Sequence, residues 1–401
     1  MKYAERMEVV RGSVIRDVAT EISARKNPNL ITLSGGLPQG TLFPIKELQD
    51  VTNAIFEDTD LAIEALQYGL TRGDEELVSL LAARLQKNEK MPIDDTNIII
   101  TTGCQQGIAL TATALVNEGD TILIEKPSYL DGLNACLPYE ANIVGVDTDD
   151  EGIQLGALKA KLDSDPRVRL IYVIPNFQNP TGKAWSLKRR EELLELVSRP
   201  EYDHVTVLED NPYGEIRFKG EFVPTLKALD KANKVVYISS FSKILCPGLR
   251  VAYLVAEKIF VDRIEEIKEG SDLQSNQFAQ LQVREYMKKY DLDAHVDEIK
   301  AAYKAKCDVM IEAMKKEFPE GVKYNEPEGG MFMWVELPEN VDTNKLLSKA
   351  LDAEVSYIPG SSFFADGSGK NTMRINYTAS SPEKIQEGIA KLGKLFKEVI
   401  E

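Results

Sequence analysis

From about residue 97, short runs rich in β-branched residues alternate with longer stretches of helical periodicity. Predicted strands lie in TNIIITTG, DTILIEKPSY, VRLIYVIPNFQNPTG, HVTVLEDNPY and KVVYISSFSK, and predicted helices lie in QQGIALTATALV and LKRREELLELVSR. Apolar strands separated by helices are typical of a mainly parallel sheet that is buried on both faces. The run RVAYLVA follows the last of these strands too closely for a helix to intervene, so we expect one antiparallel pairing. The pattern predicts an α/β fold.

The chain has 401 residues, more than one hydrophobic core usually supports, so we expect more than one domain. After residue 290 a long charged helical region leads into short strands and a terminal helix, which predicts a smaller α/β domain. We therefore divide the chain into an N-terminal arm (1–45), a large domain (46–290) and a small C-terminal domain (291–401). The arm precedes the regular alternation and is expected to pack against it.

Composition narrows the functional classes. The formal net charge of −16 and the sequence pI near 4.9 argue against a nucleic-acid partner, which requires a basic surface. The N-terminal 23 residues are charged throughout, and no window has the apolar length of a membrane span, so we expect a cytoplasmic protein. Four cysteines without paired spacing fit a reducing compartment. With only two histidines, a histidine-based metal site or Ser-His-Asp triad is not expected, and we predict no metal.

Polar and aromatic side chains follow five of the predicted strands where each one ends. These positions are the Thr102-Gly103-Cys104-Gln105 turn, Tyr129, Asn179, Asp210, and the Ser240/Ser242/Lys243 group with Arg250 close behind. Each alone has a structural explanation as a turn, a cap or a packing residue. Ligands of open parallel sheets bind at the carboxyl ends of the strands, so their joint occurrence predicts one site.

The chemistry of this set describes one ligand. A helix start and an arginine suit a phosphate, an aromatic side chain suits a flat ring, a carboxylate suits a protonated ring nitrogen, and a lysine suits an electrophilic carbon. Pyridoxal phosphate has all four features. Lys243 would form a Schiff base with it and Asp210 would hold its ring nitrogen protonated, so that the ring accepts electrons from a carbanion.

The sequence resembles the fold-type I, pyridoxal-phosphate-dependent aminotransferases of class I/II over most of its length. The similar segments are SFSKILCPGLR, NPTG and EDNPY, and those resembling the 2-aminoadipate and kynurenine branch are LSGGLPQGTLFP, LQYG, TTGCQQG, EKPSY, IPNFQNPTG and PEGGMFMWVELP. The resemblance implies a large domain with a mainly parallel seven-stranded sheet in a three-layer αβα sandwich, followed by a smaller α/β domain. It also implies a homodimer with shared active sites, in which the N-terminal arm (1–45) packs on the small domain and on the dimer partner.

The resemblance assigns roles around the cofactor ring. Lys243 would bind the cofactor covalently and would serve as base and acid in the proton shift. Asp210 would pair with the ring nitrogen, Asn179 and Tyr213 would bond the phenolic oxygen, and Tyr129 would stack on the ring.

The resemblance also assigns phosphate and substrate contacts. The phosphate ligands would be Gly103, Cys104, Gln105, Ser240, Ser242, Arg250 and, from the neighbouring subunit, Tyr68. The substrate contacts would be Arg374, Gly36, Asn179 and Arg16. Arg374 would bind the α-carboxylate, and Arg16 would meet a distal carboxylate or move aside for apolar side chains, although an arginine on an amphipathic helix is usually solvated.

Two positions depart from the pattern of this branch. Cys104 stands where serine is usual, and a thiol is a poorer donor to phosphate, so only the backbone N–H groups there are secure. The segment TRGDEEL replaces a more usual Glu-Gly-Tyr sequence after LQYG, which leaves nearby substrate contacts open.

The expected reaction is ping-pong transfer of an amino group from a dicarboxylic or aromatic L-amino acid to a 2-oxo acid such as 2-oxoglutarate. Three alternatives stay open. One is β-elimination on the same cofactor. Another is a ligand-sensing regulator, disfavoured because 30 residues before ITLSGGLP leave no room for a DNA-binding module. The third is an inactive homologue, disfavoured by the presence of the lysine and its partners.

Overall fold

The computed structural model describes residues 1–10, 12–24 and 27–400. Its α-helices are α1 (Val14–Ala24), α2 (Ile45–Glu57), α3 (Thr59–Leu66), α4 (Glu75–Asn88), α5 (Cys104–Leu115), α6 (Leu130–Leu133), α7 (Leu155–Ser164), α8 (Leu187–Val197), α9 (Leu226–Leu229), α10 (Lys258–Ser271), α11 (Gln277–Lys289), α12 (Leu292–Glu317), α13 (Thr343–Asp352) and α14 (Pro382–Ile400). Its strands are β1 (Ile31–Thr32), β2 (Ile98–Thr101), β3 (Thr121–Lys126), β4 (Asn142–Asp149), β5 (Gly152–Ile153), β6 (Val168–Val173), β7 (Thr206–Asp210), β8 (Val235–Ser240), β9 (Ala252–Val255), β10 (Lys323–Tyr324), β11 (Phe332–Glu336), β12 (Val355–Ser356), β13 (Ile358–Pro359) and β14 (Thr372–Asn376).

Within the described residues, the largest sheet has eight strands in the order β2-β9-β8-β7-β6-β3-β4-β5. The strands from β8 to β4 pair in parallel, and β9 is antiparallel to both of its neighbours, as RVAYLVA predicted. The two-residue β5 is antiparallel to β4 and adds an eighth strand to the predicted seven. It is too short to produce a periodic sequence signal.

The sheet is buried on both faces by two separate apolar clusters. On β6, Leu170 and Tyr172 belong to the cluster that contains α5, whereas Ile171 and Val173 belong to the cluster that contains α7 and α8. This alternation follows from the two-residue period of a strand. The predicted three-layer arrangement with a mainly parallel sheet is confirmed.

A four-stranded antiparallel sheet in the order β10-β11-β14-β13 forms from the C-terminal part of the chain. Arg374 lies on its inner strand β14, opposite Trp334 of β11 and Ile358 of β13. Near the N-terminus, β1 pairs in parallel with β12, so residues 31–32 join the C-terminal region across most of the sequence. The boundaries at residues 45 and 290 stay predictions.

In the described part of the chain, no helix combines the length and the apolar character that crossing a bilayer requires.

Candidate active site

The carboxyl ends of the central strands place the predicted residues at one edge of the sheet. Asp210 is the last residue of β7 and Ser240 is the last residue of β8. Thr101 at the end of β2 and Ser240 both pair with Ala252 of β9, so β2 and β8 end at the same level. The sheet register therefore brings the ends of these strands together.

Lys243 lies in the turn that follows β8, where its side chain is partly buried. Its Nζ donates a hydrogen bond to the backbone oxygen of Gly36, at 2.9 Å. Burial, followed by the positive charges of Arg374 and Arg250, lowers the pKa of Lys243 to about 8. A lysine in this state keeps a much larger neutral fraction near pH 7 than an exposed lysine, which favours nucleophilic and base chemistry.

Asp210 is a buried carboxylate with one oxygen available for a ligand. Tyr172 donates its hydroxyl hydrogen to Oδ2 at 2.7 Å. The other oxygen, Oδ1, is buried and has no hydrogen-bond partner among the described residues. Burial raises the pKa of Asp210 to about 6, against the opposing effects of Tyr172 and of the nearby Cys104 thiol. A buried acceptor of this kind is a suitable partner for a protonated ring nitrogen.

The start of α5 and the turn after β8 form a cradle for an anion. Gly103 precedes α5 with a φ of 83°. A β-carbon at this position would lie 1.9 Å from Nη2 of Arg250, so only glycine lets the guanidinium approach the helix start. Free N–H groups at a helix start, together with a guanidinium, suit a phosphate. Ser240 donates to the hydroxyl oxygen of Ser242 at 2.7 Å in the adjoining turn.

Two of the predicted phosphate ligands are engaged elsewhere through their side chains. The Gln105 side-chain amide donates to the backbone oxygen of Gly132 at 2.8 Å, so Gln105 has its main-chain N–H to offer an anion. The Cys104 thiol lies near Asp210, and burial, followed by the Asp210 charge, raises the pKa of Cys104 well above its usual value. The thiol therefore stays protonated and uncharged, and adds no negative charge beside the Asp210 carboxylate.

Aromatic side chains border the same space. Burial, followed by the charges of Asp131 and Asp210, raises the pKa of Tyr129 to about 12, so its hydroxyl stays protonated. Burial also raises the pKa of Tyr213, whose ring packs edge-on against Phe332 with centroids 5.7 Å apart. Both phenols are therefore hydrogen-bond donors at neutral pH.

Arg374 is a buried guanidinium without an ion-pair partner among the described residues. Nη1 donates to Oδ1 of Asn179 at 2.8 Å, and Nη2 donates to the backbone oxygen of Ser34 at 3.0 Å. Its central carbon lies 4.2 Å from the centroid of the Phe332 ring and 5.1 Å from that of Phe363. Burial lowers its pKa to about 10. Since Nε has no hydrogen-bond partner among the described residues, the guanidinium can still donate to a carboxylate.

The structure does not bring every predicted residue into the cleft. Tyr68 is 78% exposed, and its main-chain N–H bonds the side-chain oxygen of the adjacent Gln67. Arg16 is exposed on α1, although its charge is felt by Tyr129. Gly36 contributes a backbone oxygen, which contacts Lys243.

Comparison with known proteins identifies the family. The family model for aminotransferase class I and II matches residues 30–392. The chain belongs to this family. It is 40% identical over 400 residues to aromatic-amino-acid aminotransferase 1 of Thermococcus litoralis, covering 99% of this chain and 94% of that one.

Two solved structures support the same family. The kynurenine aminotransferase of Pyrococcus horikoshii, in complex with PMP, has a TM-score of 0.93 and 38% identity, covering 100% of this chain and 98% of that one. The α-aminoadipate aminotransferase of Thermus thermophilus, complexed with N-(5'-phosphopyridoxyl)-L-leucine, has a TM-score of 0.90 and 32% identity, covering 99% and 98%. The chain is therefore a pyridoxal-phosphate-dependent aminotransferase, and the unpaired Oδ1 of Asp210 and the cradle at Gly103 fit that cofactor.

Several groups in this aminotransferase site were missed by sequence reasoning. Tyr172 bonds Asp210 from the neighbouring strand, and Phe332 and Phe363 lie against Arg374. Tyr172 lies inside a predicted strand, where an aromatic side chain indicates packing. The two-residue alternation of Tyr172 with Leu170 predicts that both side chains face the same side of the sheet. Only the pairing of β6 with β7 shows that Tyr172 lies next to the strand that carries Asp210.

Asp210→Asn is expected to stabilise the cofactor-free protein at neutral pH. The folded-state pKa of about 6 lies above the ordinary value of 3.8, so folding binds a proton between these values. Stability then falls as pH rises through that window, and the deficit is complete above pH 6. Urea denaturation at pH 7 should show the variant more stable by about 3 kcal/mol, and the difference should vanish below about pH 4.

Tyr172→Phe is the matched control, because it keeps Asp210 and removes the donor to Oδ2. The loss of folding stability above pH 6 should be larger in Tyr172→Phe than in the wild type, because the bond from Tyr172 lowers the pKa of Asp210. An Asp210→Asn curve that parallels the wild type at every pH would contradict the assigned pKa shift.

Proposed function

We propose that this aminotransferase moves the amino group of a dicarboxylic or aromatic L-amino acid to a 2-oxo acid such as 2-oxoglutarate, by a ping-pong mechanism. The observation that carries the proposal is the Arg374 guanidinium, which has no ion-pair partner among the described residues and lies close enough to Lys243 for its charge to lower the pKa of that lysine. An amino acid bound there through its α-carboxylate would present its α-carbon near the lysine amine. The donor classes are supported by relatives named for aromatic amino acids, kynurenine and α-aminoadipate.

Bound pyridoxal phosphate supplies a reactive aldehyde and a ring that accepts an electron pair. The depressed pKa of Lys243 suits a base: a neutral Nζ would take the proton from the α-carbon of the donor and would then deliver it to the cofactor carbon that bears the amino nitrogen. Asp210 holds a proton on the ring nitrogen through Oδ1, while Tyr172 fixes the orientation of its carboxylate through Oδ2. Tyr213 and Asn179 are the donors proposed for the phenolic oxygen.

The phosphate anchors are proposed at the start of α5 and in the turn after β8. In this proposal the phosphate is held beside Gly103, where the Arg250 guanidinium approaches the start of α5, by the main-chain N–H groups of Cys104 and Gln105, the hydroxyls of Ser240 and Ser242, and Arg250. The dipole of α5 adds to their attraction for an anion. This anchoring fixes the ring, so that the lysine and the donor meet in a defined geometry.

Arg374 is proposed to bind the donor α-carboxylate. Asn179 and Ser34 hold the guanidinium from one side, and Phe332 and Phe363 shield it from water. An ion pair formed in this partly dehydrated site is stronger than one on the surface. The backbone at Gly36 lies next to the same carboxylate position in this proposal, since it contacts Lys243.

Lys243→Ala is expected to abolish covalent cofactor binding and to lower amino transfer by about 10²–10⁴-fold, since the base and acid is lost. Borohydride treatment of the wild type supplied with pyridoxal phosphate should leave a reduced adduct, which mass spectrometry locates on Lys243. Lys183→Ala, which removes an amine paired with Asp150, is the control and should behave like the wild type. A wild-type protein that stays colourless and gives no adduct would refute the proposal.

Arg16→Ala is expected to lower kcat/KM several-fold for glutamate and 2-aminoadipate and to leave phenylalanine little changed, since only the first two carry a distal carboxylate. The basis is the position of Arg16, close enough for its charge to lower the pKa of Tyr129. The measurement is a donor panel with 2-oxoglutarate as acceptor. Arg263→Ala, which removes an exposed guanidinium paired with Glu266, is the control. Equal effects on all three donors would show that Arg16 has no part in donor choice.

A homodimer with shared active sites is part of the same proposal. Large apolar side chains are exposed on α2, α3 and the segment that follows, namely Phe56, Ile63, Leu66, Tyr68 and Leu70. A group of exposed apolar residues of this size is typical of an interface. The proposed partner contact is a bond from Tyr68 to the phosphate in the neighbouring subunit. A cytoplasmic location also belongs to the proposal and is supported by four free cysteines.

Tyr68→Phe is expected to weaken cofactor binding about tenfold, the typical effect of losing one hydrogen bond to a charged group. Hybrids formed by mixing Tyr68→Phe with Lys243→Ala subunits should recover wild-type affinity at the intact Lys243, because that site receives Tyr68 from its partner. Fluorescence titration with pyridoxal phosphate measures the affinity, and light scattering measures the mass. A monomer, or hybrids as weak as Tyr68→Phe alone, would contradict sharing.

A further inference from the structure

A hydrogen bond fastens the N-terminal segment beside Tyr129. Asp131 lies two residues after Tyr129, in the one-turn helix α6, and its Oδ2 accepts the hydroxyl hydrogen of Ser13. A second bond runs from the Asn134 side-chain amide to the backbone oxygen of Gly12, at 3.3 Å. The contact joins parts of the chain 118 residues apart. We call the Ser13–Asp131 bond the N-terminal latch.

Ser13 also begins the helix that carries Arg16. Its Oγ accepts a hydrogen bond from the main-chain N–H of Arg16 at 3.0 Å, and its backbone oxygen accepts one from Asp17 at 3.0 Å. Ser13 is thus an N-cap, and the carboxylate of Asp131 lies at the positive end of α1, where a negative charge is favourable. The position of Arg16 therefore depends on Ser13, and the position of Ser13 depends on Asp131.

The other side of the latch is fixed to the cofactor site. The backbone oxygen of Gly132 accepts the hydrogen bond from the Gln105 side chain, at the start of α5. A β-carbon on Gly132 would lie 2.9 Å from Cδ1 of Tyr129, so the chain packs directly against the aromatic ring. Asp131 lies between these contacts, which fix its position relative to Tyr129.

Two opposite charges consequently lie next to the donor site. The Asp131 charge is close enough to raise the pKa of Tyr129 and to oppose the lowering of the Arg374 pKa that burial causes. The Arg16 charge acts on Tyr129 in the opposite direction. A distal carboxylate on the donor would be attracted by Arg16 and repelled by Asp131, whereas an aromatic side chain would be insensitive to both.

We propose that Asp131 is a positioning and selectivity residue: through Ser13 it holds Arg16 beside the donor site, and its own charge disfavours donors with a distal carboxylate. The inference rests on the proposed amino-transfer function and deepens it by naming what sets the choice between donor classes. The latch positions Arg16, which attracts a distal carboxylate. The negative charge of Asp131 opposes this attraction and so limits the preference for dicarboxylic donors.

Asp131→Asn isolates the charge, because the amide oxygen still accepts the Ser13 hydroxyl. The ratio of kcat/KM for 2-aminoadipate to that for phenylalanine should rise on the order of three- to tenfold, as expected for removing one like charge several ångströms from the ligand in a solvated pocket. Asp150→Asn, at a carboxylate with 95% of its side chain exposed, is the control and should leave the ratio unchanged. A ratio that stays the same or falls in Asp131→Asn would overturn the selectivity role.

Ser13→Ala isolates the latch, because it leaves the Asp131 charge in place. If the latch positions Arg16, the effect of Arg16→Ala on the donor ratio should shrink at least threefold in the Ser13→Ala background, which a double-mutant cycle measures. Ser13→Thr keeps a hydroxyl and should restore the full effect, which separates the latch from a general loss of folding. Additive effects of the two substitutions would refute the positioning role.

Hydrogen exchange gives a readout that does not depend on activity. In the holoenzyme, Asp131→Ala and Ser13→Ala should raise amide exchange in residues 13–20, whereas Asp150→Asn should not. Unchanged exchange in both latch variants would show that the bond does not hold the segment. If the wild type transferred no amino group from any donor, the proposed function would fail, and the exchange result would still decide whether the latch exists.

Discussion

Burial of charged side chains that have no ion-pair partner in the chain is the constraint on which the site depends. Asp210 and Arg374 are buried and Lys243 is partly buried, and among the described residues none of the three forms an ion pair. Removing a charge from water is unfavourable unless it is compensated. The three pKa values move in the direction that reduces this penalty. The proposed ligands, a phosphorylated cofactor and a zwitterionic amino acid, carry charges that would compensate these groups.

The surrounding fold is what holds these charges in place. Behind Asp210, the next residue Asn211 bonds Asn176 at 2.9 Å and Tyr237 at 3.0 Å, and Asn176 accepts from the buried Arg190 at 2.7 Å. This network ties the end of β7 to β8 and to the segment that follows β6. The carboxylate at the end of β7 therefore has little freedom to move toward water, because the rigid sheet holds it in its buried position.

The cleft is assembled from distant parts of the sequence. Arg374 reaches Asn179 across 195 positions and Ser34 across 340, and the latch joins Ser13 to Asp131. The pairing of β1 with β12 fixes the segment that contains Ser34 against the C-terminal region. The proposed substrate side of the site thus combines residues from both ends of the chain, while the proposed cofactor side is built mostly from strand ends of the large sheet.

Much of the proposed cofactor side could be predicted from the sequence because it depends on short segments. Lys243, Asp210 and Asn179 each follow a strand with a strong apolar signal, and the parallel connections leave their ends at one edge. The strand β4 was missed because its residues, Asn142–Asp149, are only partly buried and include polar positions. Tyr172 and the latch were missed because each depends on a long-range pairing that no sequence period records.

The sequence by itself determined the α/β class, the order of strands and helices and the identity of the reactive groups, because side-chain period and strand-end chemistry are properties of short segments. The tertiary structure alone decided which oxygen of Asp210 is left free, which partners hold Arg374 and where the N-terminal helix begins. These features depend on contacts between residues that are far apart in the sequence. The pKa values of Asp210 and Arg374 shift only when packing of the layers buries them.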